Sequence, residues 1–348
     1  MVYADKESTT MKGPRLCFAA RSMSFAFAGF TLLAVGGCAT ANLQYPTLDS
    51  GQGEPRRVEL ENTPFHPQAA YQCGPAALAT LLESSGVSDA DPDRLADQVY
   101  LPGLRGSLQT ELLGASRRAD RVPYRLQPRL ADLLAEVRAG HPVLVLQNLR
   151  LSGWPLWHYA VVIGFDLDAE KVVLRSGETR RQEMSFRHFE RTWRLADYWA
   201  LVIAKPGDLP ATASAPGYVD AVAVLEQQQR YAAAITGYEA ARERWPAYPM
   251  SYLGLGNIAY RQDDFQRAAD HFRAAVRAAP AEPAAHYNLA WAYLRQGKTA
   301  EALESAYQAE ALAPDHLLYR ESVSVIARAA EAGQEQEKKE LNEMAGTD

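Results

Sequence analysis

The chain has 348 residues, 47% of them hydrophobic and 22% charged, with a formal net charge of −6. That length supports two domains with full cores, and the slightly acidic balance, with no basic stripe, excludes nucleic acid as a partner. No Cys/His cluster has metal-ligand spacing, so neither a metal nor another cofactor is implied.

In chain order, residues 1–38 read as an export signal. "MKGPR" (11–15) supplies positive charge after Met11, the expected start, and "MSFAFAGFTLLAV" (23–35) supplies an apolar core. That core is too short for a transmembrane span. Val35, Gly36, Gly37 and Cys38 resemble the lipobox of bacterial lipoproteins. The resemblance implies cleavage before Cys38 and its diacylation, and Ala39 at the next position implies an outer-membrane address facing the periplasm. Two or three acyl chains hold a protein on a bilayer stably. Processing removes Cys17 and lipidation occupies Cys38, leaving Cys73 as the only thiol of an exported protein. An unpaired thiol in an oxidising compartment is either intermolecular or reactive.

Residues 39–57, polar with Gly and Pro, read as a tether. Residues 58–205 begin with helix-period runs at 74–86, 91–103, 107–119 and 129–140, with a short strand at 122–126 between the last two. The period then changes to extended at 142–149, 157–166, 171–176 and 198–204. Helices followed by an antiparallel sheet make an α+β domain. A Pro/Ala/Ser-rich linker covers 206–217. In 218–348 a 34-residue period registers Pro246, Pro280 and Pro314, Ala234, Ala268 and Ala302, and Ala241, Ala275 and Ala309. Tyr238 and Phe272 share the aromatic position, Leu255–Gly256 and Leu289–Ala290 the small-residue position. This period and residue set resemble the tetratricopeptide repeat, an all-α array of three repeats and a helical cap.

The stretch "YQCGPAALATLL" places Cys73 immediately before a helix start, where unpaired N–H groups and the helix dipole favour a thiolate. A base is required. His271, His286 and His316 fall in the repeats, His188 on a surface helix, His141 at a turn and His66 in the "PFHPQ" approach segment. His158 heads "HYAVVIGFD", the most hydrophobic strand, 85 residues after the thiol. Cysteine at a helix start followed by histidine at the head of a core strand is the papain-like order.

"YQCGPAALATLL" with "HYAVVIGFD" resembles the bacteriocin-processing, double-glycine leader peptidases and their stand-alone relatives over about residues 58–204. The wider arrangement is similar to a family of bacterial lipoprotein cysteine peptidases with repeats. The resemblance implies a papain-like fold in which Cys73 attacks a carbonyl carbon, His158 takes and returns the proton, and Gln68 donates to the oxyanion, with Gln72 as an alternative. The Cys73 backbone N–H would be the second donor. The third position departs from the pattern. Where relatives carry aspartate or asparagine this chain has Ser176, with Glu178 and Asp166 as alternatives, and the role stays open. Ser107 and Gln109 open a further helix, with Ser107 as its expected cap and cleft lining as the alternative.

Three functions compete: a membrane-anchored cysteine peptidase acting on a peptide or protein, a thiol acyltransferase or amidase on the same scaffold, and a degenerate scaffold. A protein partner held by the repeats is common to all three.

Overall fold

A computed structural model describes residues 43–45, 53–67 and 72–345. The export signal with Cys38, most of the tether, and Gln68 lie outside the described residues.

The first part is built in chain order from β1 (Arg57–Glu59), α1 (Cys73–Ser84), α2 (Pro92–Val99), a 3-10 turn (Pro102–Leu104), α3 (Gln109–Arg118), β2 (Val122–Arg125), α4 (Leu130–Arg138), β3 (Val143–Asn148), β4 (Trp157–Asp166), β5 (Lys171–Ser176), β6 (Thr179–Ser185), α5 (Phe186–Arg194) and β7 (Ala200–Ala204). The strands form one sheet in the order β2-β7-β3-β4-β5-β6, every pair antiparallel, with β1 joined to the far half of β4. The expected α+β class is the one observed.

Alternation along the strands sends side chains to two cores. Leu144, Leu146, Tyr159, Val161 and Ile163 pack against α1, α2 and α3. Val143, Val145, Ala160 and Val162 pack against α4 and α5. A register shift between Val162 and Gly164 reverses the parity of β4, so Phe165 joins the second core. Gly164 is required there: a Cβ would lie 2.6 Å from the Val58 carbonyl oxygen, where β1 crosses close to the strand. Each fully buried Leu, Val or Phe contributes about 1.5–3 kcal/mol relative to exposure.

Two elements were not visible in the sequence. In β6, "TRRQEMS" is largely exposed, a charged edge strand with no continuous apolar face to register as period two. β1 has only three residues, the first of them the last of the expected tether, and is too short to show a period. Within the stretch 39–57 read as tether, Gln44 and Tyr45 are anchored. The backbone N–H groups of Gln44 and Tyr45 both donate to the buried Glu190 carboxylate, the latter at 2.9 Å, and the Gln44 side chain bonds Leu130 N and Pro128 O.

The second part is helical: α6 (Ala215–Gln227), α7 (Tyr231–Arg244), α8 (Pro249–Arg261), α9 (Phe265–Ala278), α10 (Pro283–Arg295), α11 (Thr299–Leu312) and α12 (Leu317–Ala345). Pro246, Pro280 and Pro314 each follow a helix C-cap by one residue, at Trp245, Ala279 and Ala313. The aromatic positions of α7 and α9 press on two glycines of the helix between them, α8: a Cβ at Gly254 would lie 2.2 Å from the Tyr238 ring, and one at Gly256 2.3 Å from the Phe272 ring.

The two parts share a core. Val122, Tyr124 and Ala204 at the sheet edge pack with Tyr218, Val219, Val222 and Tyr238. The stretch between them is held rather than free. The buried Glu136 carboxylate accepts from Ala211 N at 3.0 Å, Thr212 N at 2.7 Å and Thr212 Oγ1 at 2.5 Å, and pairs with His141 Nδ1 at 2.7 Å. Burial pushes that carboxyl up, yet the bonds from His141, Thr212 and Ala211 together hold it below the ordinary range.

Candidate active site

Cys73 is the first residue of α1, and Gln72 is the N-cap without a side-chain cap bond. The first turn of a helix leaves four N–H groups unpaired. Pro75 has none, and Ala76 N bonds Gln72 O at 3.2 Å, so the Cys73 and Gly74 amides remain beside the sulfur. These two amides and the backbone N–H of Tyr159 lie near enough to the sulfur to stabilise a thiolate. The sulfur therefore lies against β4 one residue from His158. β5 ends at Ser176, short of this point, which leaves the Tyr159 amide open to the sulfur.

The imidazole is fixed from the other side. His158 Nε2 and Ser176 Oγ are 2.9 Å apart. With Nε2 engaged, Nδ1 is the ring nitrogen left for a reacting partner. The alternatives for the third position lie elsewhere. Asp166 accepts from Asp168 N and Ala169 N in the turn at the opposite end of β4, eight residues from His158, about 26 Å at the rise of a strand. Glu178 is exposed in the β5–β6 turn.

Electrostatics favour an uncharged pair. Burial pushes the Cys73 thiol above its ordinary value, outweighing the Tyr159, Gly74 and Cys73 N–H groups that stabilise a thiolate. Burial also lowers the His158 imidazole. The Tyr159 hydroxyl is pushed up, by burial first and by the neighbouring sulfur second. The helix N-terminus therefore does not suffice to charge the sulfur here.

The floor of the site is a close approach absent from the sequence reading. A Cβ at Gly74 would sit 2.5 Å from Ser107 Oγ, and the Ser107 carbonyl accepts from Tyr159 Oη at 3.2 Å. Ser107 is not the cap of α3, which is Leu108, and its Oγ is buried without a partner. Arg175, next to Ser176, is buried and donates to the carbonyls of Glu61 and Thr63 at 3.1 and 3.0 Å. This pins the strap that leads toward Cys73. A buried arginine in a strand that otherwise reads as apolar was the available signal for such a role.

The remaining histidines fall away from the thiol. His66 pairs with Glu83 at 2.9 Å, near the other end of α1, ten residues or about 15 Å from Cys73. His141 belongs to the Glu136 cluster, and the His188 backbone is capped by Ser185. His286 bonds Pro280 O, and His316 stacks on Tyr319. Among the described residues no group of three His, Cys, Asp or Glu side chains is placed to hold a metal.

Comparison with known proteins agrees with this division. Residues 58–200 match the Peptidase_C39 like family, and residues 220–283 and 253–316 match the tetratricopeptide repeat. No curated protein matches. Among solved structures, a C39-like peptidase candidate from Bacillus anthracis is 20% identical and covers 43% of this chain and 98% of its own, with a TM-score of 0.36. The first repeat domain of Spaghetti (RPAP3) bound to the HSP90 peptide SRMEEVD is 19% identical and covers 33% of this chain and 92% of its own, with a TM-score of 0.32. The first repeat domain of human RPAP3 is 18% identical, with coverages of 35% and 95% and a TM-score of 0.33. The chain thus joins an N-terminal Peptidase_C39-like domain to C-terminal tetratricopeptide repeats.

Proposed function

We propose that this protein is a cysteine peptidase, held on the bacterial outer membrane through a lipid on Cys38, whose repeats bind a protein partner or the substrate. The observation that carries the catalytic reading is the pairing of His158 Nε2 with Ser176 Oγ while the Cys73 sulfur rests on the Tyr159 amide.

With Nε2–H donating to Ser176, the Nδ1 lone pair takes the thiol proton as Sγ attacks the carbonyl carbon. The oxyanion meets the Cys73 N–H and, in this reading, the Gln68 amide. Collapse breaks the C–N bond, the imidazolium proton leaves with the amine, and water then releases the acid from the thioester. Proton transfer accompanies attack, because both groups start neutral. Ser176 fixes the ring but supplies no charge to the imidazolium, so turnover falls below that of a site with a carboxylate there. The neutral third position and raised thiol also favour a second reading, a protein-binding scaffold without turnover.

The test is mass spectrometry of peptides incubated with the purified chain, with and without a competing amine. Hydrolysed products that vanish in Cys73→Ala are expected. Amide products formed with the amine would make it an acyltransferase, and no Cys73-dependent product would leave the scaffold reading.

A further inference from the structure

The strands β3 and β4 run on into a hairpin, residues 149–156, that ends beside His158. Its base is well braced: the buried Asn148 accepts at Oδ1 from Arg150 N and Leu156 N, both at 3.0 Å, and Leu149 N bonds Leu156 O. The tip is a four-residue turn closed by Trp154 N to Leu151 O at 3.1 Å. The side chains that flank the turn are the most exposed large hydrophobics of the described residues, Trp154 at 82% and Leu151 at 79%. Leu149, Leu156 and Trp157 continue the apolar surface toward His158.

Two features decide what such a tip meets. The first is shape. Side chains exposed to this degree protrude, whereas peptide recognition uses pockets that half-bury their lining. A rigid convex wedge of Trp and Leu suits a soft phase, and indole belongs at the headgroup boundary of a bilayer. The second is charge. From Ala139 to Phe165 the only Asp, Glu, Lys or Arg is Arg150, in a chain of net charge −6. A lone cation within an apolar tip complements anionic headgroups.

The chain's own attachment points the same way. Gln44 and Tyr45 are fixed to Glu190 on α5, and Thr192, two residues along, bonds Gln147, the partner of His158 across β3 and β4. Leu43 follows Cys38 by five residues, a reach of at most about 18 Å. A lipid on Cys38 therefore holds the hairpin end of the sheet close to the bilayer.

We infer that the 149–156 hairpin inserts its Leu151–Trp154 tip into the headgroup boundary of an anionic membrane, so that the thiol site opens at the bilayer surface. The inference rests on the lipid-anchor reading, and its test separates the two. The full lipidated chain and its Trp154→Phe variant are bound to phosphatidylglycerol/phosphatidylcholine vesicles whose acyl chains are brominated near the headgroup. Flotation reports the anchor, and bromine quenching of tryptophan emission reports the tip. Trp154 is one of six tryptophans, so the difference between the two proteins isolates its signal. The expected result is flotation of both, with the difference emission largely quenched and blue-shifted on the vesicles. Flotation with an unquenched difference signal overturns the hairpin proposal and leaves the anchor; a tip that instead raises KM for a soluble peptide when substituted assigns it to substrate. A chain that does not float overturns both.

Discussion

In the repeats, Gly254 and Gly256 lie under the rings of Tyr238 and Phe272; in the thiol domain, Gly74 lies under Ser107. The contact is of the same kind and its setting is not. In the repeats it closes the α8/α9 pair at Gly256 and stacks that pair on α7 at Gly254, within an array of like units, so failure at one point loosens its neighbours. In the thiol domain Gly164 makes such an approach to β1, and the one at Gly74 lies directly behind the nucleophile and joins the 101–108 loop to β4 through Ser107 and Tyr159. The same kind of close approach thus supports packing at Gly164, Gly254 and Gly256 and lies behind a reactive group at Gly74.

The largest effect is expected where the halves meet. Glu136→Ala removes the acceptor for Ala211 N, Thr212 N and Thr212 Oγ1 and should lower unfolding free energy by about 3–5 kcal/mol, read by denaturant titration. Limited proteolysis at 205–217 should accelerate with it. Because the Glu136 carboxyl is held below the ordinary carboxylate value, its contribution is complete above that ordinary value and disappears as acidification passes the lowered one. An unchanged midpoint in the variant would mean that the halves are joined by their shared apolar core alone.

The glycine comparison can be broken directly. Gly254→Ala should cost about 1–3 kcal/mol through overpacking against Tyr238, with the thiol's reactivity kept once the protein is folded. Gly74→Ala would bring a Cβ to 2.6 Å from Ser107 Cβ, which no side-chain rotation relieves, so it should cost a similar amount and should in addition depress labelling of Cys73 beyond the loss of stability. If both variants lose reactivity in proportion to stability, the distinction fails.

The smallest effect concerns the third position. Ser176→Ala removes one hydrogen bond worth about 1 kcal/mol and should slow turnover about fivefold. Ser176→Asp supplies a charge that raises the imidazole pKa, so the acid limb of the pH profile should move upward. In the native chain burial lowers His158, so activity should persist below the ordinary imidazole value. An acid limb above that value would contradict the neutral pair.

These contrasts also explain what was legible beforehand. The repeats announce themselves because one packing solution recurs every 34 residues. β4 and β5 were delimited to the residue because long apolar runs end at Trp157, Asp166, Lys171 and Ser176. β6 was hidden because an exposed edge strand has polar residues on both sides. The Gly74–Ser107 approach and the Arg175 anchor on Glu61 and Thr63 join segments distant in sequence without leaving a local pattern. Of the three candidates for the third position, Ser176 is the one whose side chain reaches His158, while Asp166 bonds within the turn at the far end of β4 and Glu178 is exposed. Tyr45 and Gln44 looked like tether because their partner, Glu190, lies 145 residues away or more.

The most direct test of the central claim is labelling of Cys73 by a peptidyl electrophile at pH 7.5, in the native chain and in His158→Ala. The account predicts labelling that falls about 10²-fold or more without the imidazole, and a reaction with iodoacetamide that gains rate only as pH rises past the ordinary thiol range. Equal labelling in both proteins, or an inert thiol in the native one, would contradict it.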